Sequence, residues 1–474
     1  MTRKIFWELG LKTIQELESE KGILASGREE IYGCIFGRDS LITALKLTRT
    51  YSTNRDPYFL NLVDKILVNL ADLQGREVNI ESGEQPGKCI HEFRTGNHEH
   101  LTKGLEHPWY AYPDGAMRIY DSVDATPLFL IALYRYWQKL ETAPQRERFE
   151  TVLLPAAERA LDWLLNYGDS NKDGFIDYQL DPARKHGGLI TQNWMDSVES
   201  VFHEDGADVD FPLAPVEVQG YAYLALRLWA RFFAGRDFET SRSLFEHAAN
   251  LKRLFNERFV LNDRGNISFA WAIDGKGKPL ASLRSNIGHL LWAAMNYEED
   301  GELDSVLEKR FVPQVVKLLL SERIFESKAG IRTLAKDSRM YAANSYHNGS
   351  IWPHDNSIIA EGFRHFGYTW SARRISNAIF KALGHFQTPI ELFSYENGSY
   401  IEYCSPKGQT ACKKQAWSAA TLLQETARNR PLLLASPHSI RISVYTNADL
   451  GLDRLKNFSG RFRSWGFFEK FKLH

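Results

Sequence analysis

The chain has 474 residues, with 58 Lys and Arg against 59 Asp and Glu, for a formal net charge of −1. That balance removes any electrostatic case for nucleic acid or an anionic membrane as partner. Aromatic residues make up 13% of the chain, an excess that a carbohydrate site or a large helical core would each absorb.

No segment is long and apolar enough to span a bilayer. The opening Met1–Gly10 turns charged and amphipathic at once. It lacks the apolar stretch and small-residue cleavage site of a secretory signal, so a cytoplasmic location is expected. Cys34, Cys89, Cys404 and Cys412 have no metal-ligand spacing, and free thiols are expected at all of them.

Apolar residues at helical spacing begin near Lys4 and again near Asp39. After Pro57, the residues Phe59, Leu62, Val63, Ile66, Leu70 and Leu73 fall on one face. Comparable segments start near Ser122, Arg146, Ala214, Thr240, Ser285, Leu303, His354, Ser371 and Lys413, making about twelve predicted helices. Polar connections rich in Gly and aromatics separate them at 79–115, 168–212 and 325–353. Helices alternating with such loops predict an all-α (α/α)6 barrel of six inner and six outer helices, with its chemistry on loops at one end. Inner helices should be apolar nearly all round, as Pro215–Phe233 is. After about residue 430 the pattern weakens. Ser439–Tyr445 alternates like a short strand, so 1–430 is expected to be the catalytic domain and 431–474 a C-terminal appendage.

Two carboxylates stand out. Asp196 lies in Gly187-Gly188-Leu189-Ile190-Thr191-Gln192-Asn193-Trp194-Met195-Asp196-Ser197, and Glu391 in Thr388-Pro389-Ile390-Glu391-Leu392-Phe393. Glycoside hydrolysis uses one carboxylic acid to protonate the leaving oxygen and a second carboxylate on the sugar or on a water. Aromatic neighbours stack on sugar faces and raise a carboxyl pKa by desolvation. In an inverting enzyme the two groups stand about 6.5–9.5 Å apart, in a retaining one about 5–5.5 Å. A helix N-cap explains Asp196 as well, and a surface position after a Pro turn explains Glu391.

Ten stretches in order complete a family pattern. They are Ile35-Phe36-Gly37-Arg38-Asp39-Ser40, Pro86–Glu92, Tyr120–Thr126, Asn193-Trp194-Met195-Asp196, Pro215–Tyr221, Ser285–His289, Gly330–Leu334, Tyr346–Asp355, Ile390-Glu391-Leu392-Phe393 and Lys414–Ser418. From about residue 31 to 425 the chain resembles the glucosidase domain of the glycogen-debranching enzymes (amylo-α-1,6-glucosidases), related in fold to glucoamylases. The resemblance implies an (α/α)6 domain that hydrolyses α-glucosidic bonds with inversion, Asp196 being the acid and Glu391 the base. It also implies that Arg38 and Asp39 contact the glucose beside the scissile bond. Debranching enzymes of this kind usually carry a further domain ahead of the barrel, whereas this chain opens at its first predicted helix. The resemblance implies an α-1,6-linked gluco-oligosaccharide or branched glucan as substrate, while the start at the first helix lends weight to a small α-glucoside of sucrose, trehalose or glucosylglycerate type as the alternative. A carbohydrate-binding protein without catalysis stands further off, as does an epimerase using histidines for proton transfer.

Other residues carry two readings each. Arg38, Asp39 and Asp124 open helices, where they either clasp hydroxyls or answer the helix dipole. Glu217, with Gln219 beside it in an apolar helix, either binds hydroxyls and tunes Asp196 or forms an internal salt bridge. His347, Asn348, Trp352, His354 and Asp355 share a Gly-containing stretch that suits hydrogen bonding and stacking on a sugar better than a metal site. Trp194 and Trp417 are sugar platforms or core. Asp169–Asp177 starts like a calcium loop but has Leu180 where the bidentate acid belongs, and a tight Asn/Asp/Gly turn fits the same residues. No cofactor or metal is expected, and oligomeric state is left open.

Overall fold

The computed structural model describes residues 1–428. The strand expected at 439–445 and the 431–474 appendage lie outside the described residues. Twelve helices among the described residues build the circuit and its cover, the first six being α1 (Arg3–Leu17), α2 (Gly37–Asn54), α3 (Pro57–Asp72), α4 (Ala125–Trp137), α5 (Leu154–Asn166) and α6 (Val216–Phe233). The next six are α7 (Phe238–Arg258), α8 (His289–Trp292), α9 (Val312–Leu319), α10 (Pro353–His365), α11 (Thr369–Phe386) and α12 (Ala416–Ala427). Among the described residues no helix is long and apolar enough to cross a membrane.

Two kinds of helix alternate, and the sequence explains both. In α6 every residue except Arg227 and Arg231 is buried, as an all-round apolar helix must be. In α7 only Leu244, Ala248, Leu251 and Phe255 are buried, a single stripe with the remaining faces in water. The start of α7 is fixed by Asp237, whose side chain accepts from the Thr240 N–H. Asp56 does the same for Tyr58 at the start of α3, where Pro57 supplies a preset φ.

Packing follows the alternation. Helix α2 lies on α4, α4 on α6, α6 on α8, α8 on α10, α10 on α12, and α12 on α2, so these six contacts run in a closed circuit. Helix α3 covers α2 and α4, α5 covers α4, α7 covers α6, α11 covers α10, and α1 covers α12. Where α10 meets α8 the backbones nearly touch. A Cβ on Gly362 would stand 2.5 Å from the Trp292 nitrogen, so only glycine fits there. Inside the circuit, the Lys46 ammonium of α2 donates to Ser357 of α10 at 2.7 Å, and Gln424 of α12 donates to Glu361 of α10 at 2.7 Å.

Two expected helices differ. The segment expected from Leu303 turns helical only at Val312, because Asp304–Ser305 first pairs as a short strand with Ala294–Met295. The segment from Ser285 is a 3-10 turn followed by one α turn, ended at Ala293, whose ψ of 57° leaves the helical region.

Strands are short and serve the helix starts. Ile35–Phe36, Glu92–Arg94 and Met117–Ile119 form an antiparallel sheet, with Phe36 opposite Glu92 and Glu92 opposite Ile119. That sheet holds together the chain segments leading into α2 and α4. The hairpin Phe393–Glu396 with Ser399–Glu402 follows Glu391 directly, and Phe393 also pairs with Ile351 just before α10.

Candidate active site

The inner helices begin where functional side chains are expected. Arg38 and Asp39 open α2, Asp124 caps α4, Glu217 lies in the first turn of α6, and His354 and Asp355 in that of α10. Gln415 caps α12, and Trp417 follows in its first turn. Helix starts leave N–H groups unpaired and carry partial positive charge, so carboxylates are favoured at them. Here a cavity of about 240 Å3 opens. Arg38, Asp39, Trp194, Asp196, His347, Trp352, Glu391 and Trp417 line it.

On one side stands Asp196. Its Oδ2 accepts from the Arg38 guanidinium at 3.0 Å, and its side chain keeps 23% exposure, which leaves it open to the cavity. Burial holds its carboxyl above the ordinary value, against the opposing pull of Arg38. Arg38 also donates to Asp124 at 2.6 Å and to the Asn193 carbonyl at 3.0 Å. The next carboxyl, Asp39, accepts from Gln415 at 2.9 Å and is pushed by burial up to about 8.

On the other side stands Glu391, buried. Its Oε1 accepts from the Tyr346 hydroxyl at 2.5 Å and its Oε2 from the Cys412 backbone N–H at 2.9 Å. Burial pushes its carboxyl up to about 7, and these two donors restrain the rise because each favours the charged form. Tyr346→Phe is accordingly expected to move the Glu391 titration further up. The acid limb of the activity–pH profile would shift to higher pH, which a kcat/KM profile of the variant against the parent measures.

The aromatic residues build the floor. Trp194 packs edge-on to Trp352 at 5.8 Å and to His347 at 5.6 Å. The Trp194 and Trp417 indole N–H groups are buried without a protein partner. His347 Nδ1 accepts from the Ser197 backbone N–H at 3.3 Å, which leaves the proton on Nε2, also unpartnered. Burial keeps that imidazole well below its ordinary pKa and hence neutral.

Several expected contacts are engaged elsewhere. Asp124 is enclosed, accepting from Arg38 and from Ser122 at 2.6 Å. Among the described residues Glu217 forms no salt bridge. The amides of Asn193 and Asn286 each donate to it at 2.8 Å, so it braces the backbone behind Asp196. Gln219 bonds the backbone of Ile176 and Pro215, because that buried peptide needs partners, and it stays out of the cavity. Asn348 accepts from Arg284 at 2.8 Å and donates to the Glu199 carbonyl at 2.7 Å. His354 stacks on the far side of the wall against Trp417, with ring centroids 3.7 Å apart.

The cavity also takes Tyr32, Tyr346, His91, Arg94, Trp109 and Gln409, which the sequence reading did not single out as site residues. For Tyr346 a signal existed, since it directly precedes His347. Among the described residues, the group spaced to hold a cation is Asp169, Asp173 and Asp177, with oxygens within 4.8 Å. Asp169 accepts from the N–H groups of Asp173 and Gly174, and Asp177 from that of Ser170, so a tight turn accounts for the cluster.

A family model described as amylo-alpha-1,6-glucosidase matches residues 99–424. No curated protein gives a significant match. Among solved structures, the chain is similar to a GH63 mannosylglycerate hydrolase from Thermus thermophilus in complex with Tris and D-glycerate. That match has a TM-score of 0.61 and 14% identity, covering 89% of this chain and 100% of the other. The same hydrolase in complex with glucose matches at a TM-score of 0.59 and 15% identity, with the same coverage. A structure described only as a wild-type glycosidase matches at 0.55 and 13%, covering 90% of this chain and 98% of the other. At such identities the likeness is one of fold. The family match spans more than half of the chain and takes in both Asp196 and Glu391: the chain belongs to the amylo-alpha-1,6-glucosidase family.

Proposed function

We propose that the protein is an inverting glycoside hydrolase that releases glucose from an α-glucoside, foremost an α-1,6-linked gluco-oligosaccharide or branched glucan. The observation that carries this reading is the pair of carboxyls, Asp196 and Glu391, on the wall of one cavity with different partners. Asp196 gives its proton to the glycosidic oxygen as the bond to the anomeric carbon breaks. Glu391 takes a proton from a water that attacks the same carbon from the opposite face, and the product is β-glucose. The closed helix circuit and its outer layer support the (α/α)6 barrel, with residues 1–430 as the catalytic domain.

The expected outcome of hydrolysis of isomaltose, panose or a branched limit dextrin, followed by NMR, is β-glucose as the first anomer. α-Glucose first would reject the inverting assignment. Glucose from sucrose, trehalose or glucosylglycerate alone would keep the mechanism and move the substrate.

One observation favours exchanged roles. Arg38 beside Asp196 favours a charged Asp196, while Glu391 is pushed up to about 7. The pH profile separates the two assignments. With Glu391 as base, activity rises as pH climbs through about 7 and its carboxyl ionises; with Glu391 as acid, activity falls over that window.

The substrate of the mannosylglycerate hydrolase suggests an acidic leaving group as a further reading. The two guanidinium groups lining the cavity argue against it. Arg38 faces the carboxylates of Asp124 and Asp196, and Arg94 pairs with Glu92 while donating to the Asn97 carbonyl at 3.1 Å and the Ile31 carbonyl at 2.8 Å. The charge of each is already answered by a protein carboxylate, which supports a neutral leaving group.

A further inference from the structure

The wall of the cavity changes in exposure from its depth to its rim. Deep down, the charged Arg38, Asp39 and Glu391 and the indoles of Trp194, Trp352 and Trp417 are buried. The rim is partly exposed and sets apolar side chains beside His100 and Gln409. Ile31 stands 41% exposed, and Leu101, Trp109 and Leu189 are half-buried.

Two of those residues are tied to the segment that carries Asp196. Trp109 pairs with Gly187 as a parallel bridge, and the Gly187 N–H donates to the Pro108 carbonyl at 3.0 Å. A Cβ on Gly187 would lie 2.8 Å from Trp109 Cδ1 and 2.4 Å from the His107 carbonyl oxygen, so the absent side chain is what seats the indole. Leu189, two residues on, is held by its N–H donating to Asp121 at 3.0 Å. The opposite edge of the Trp109 segment is fixed by its N–H donating to the Leu101 carbonyl at 2.8 Å.

On the hydrolase reading above, on which this step rests, Asp196 protonates the oxygen that departs with the leaving group. The leaving group must therefore lie on the flank of the cavity that Asp196 occupies. The face of a pyranose ring is a sheet of C–H bonds that stacks on an indole, whereas glycerate or glycerol offers no such face. We infer that Trp109, seated by Gly187, is the platform on which the leaving sugar stacks, and that it selects α-glucosides whose leaving group is a pyranose ring. Such a wall reads the face of the ring and leaves its hydroxyls in water. It tolerates leaving sugars that differ in hydroxyl pattern but demands a ring.

The test compares isomaltose, which has a leaving sugar, with α-glucosyl fluoride, which has none, on the full-length protein. Trp109→Ala is expected to lower kcat/KM for isomaltose at least about tenfold more than for α-glucosyl fluoride, chiefly through KM. Trp109→Phe, which keeps a flat ring, should recover most of that difference, and Gly187→Ala should reproduce the Trp109→Ala selectivity by unseating the indole. Equal losses on the two substrates, or no loss on either, would overturn the inference while leaving the hydrolase reading intact. A parent protein inactive on both substrates would overturn the hydrolase reading and this inference with it.

Discussion

Asp196→Asn lowers hydrolysis of isomaltose by about 10²–10⁴ and spares α-glucosyl fluoride by comparison: this is the expected result that bears most directly on the mechanism. Fluoride departs without a proton, so removing the acid penalises only the leaving group that needs one. Glu391→Gln should instead lower both substrates by about 10²–10⁴, because each still requires an activated water. Steady-state kinetics on the two substrates read the contrast. The opposite pattern, with Glu391→Gln sparing the fluoride, would exchange the roles. Asp196→Asn should act mainly through kcat, which separates it from Trp109→Ala, whose loss lies in KM.

The second large effect is on stability. Arg38 makes hydrogen bonds of 2.6 Å to Asp124, 3.0 Å to Asp196 and 3.0 Å to the Asn193 carbonyl, and both it and Asp124 are buried. Arg38→Met removes the cation and leaves the Asp124 carboxylate without a counter-charge in a dry site. Breaking a buried pair in this way costs about 3–5 kcal/mol, more than the net worth of the intact pair. A fall in the urea midpoint of unfolding measures it. Arg38→Met with Asp124→Asn should recover a large part of that loss, since an amide does not demand a cation, while activity stays low because Asp196 has lost its anchor. If the double variant is no more stable than Arg38→Met alone, the stranded charge is not the cause.

How far the sequence goes in foretelling this site depends on which force places each residue. Arg38, Asp39, Asp196 and Glu391 were legible from short stretches because they sit at helix starts and turns, where local pattern and family likeness coincide. All four line the cavity. Asp124 was legible as a charge at a helix start, but its partner is 86 residues away and no spacing rule pairs them. The same holds for Tyr346, which reaches Glu391 across 45 residues, and for Trp109, whose place depends on a glycine in a different loop. Gln219 shows a second demand that a polar residue can answer, since its amide bonds the backbone of Ile176 and Pro215. Polar groups in an apolar helix suggest a ligand, yet an unpaired backbone peptide nearby makes the same demand. The helices themselves follow from apolar periodicity, except near Ser285, where the chain makes a 3-10 turn and one α turn, and near Leu303, where short strand pairing with the neighbouring Ala294–Met295 outcompetes local propensity.

The closed circuit of inner helices has a consequence for how function arrives. The Asp39 carboxyl accepts from Gln415, 376 residues further along, and the Ala416 N–H donates to the Ala25 carbonyl. The Cys412 N–H that steadies Glu391 comes from the same late segment. The two sides of the cavity are therefore completed together: Asp39 and Glu391 both wait for the segment around Cys412–Ala416 to reach the start of α2, and contacts of such separation form late and slowly.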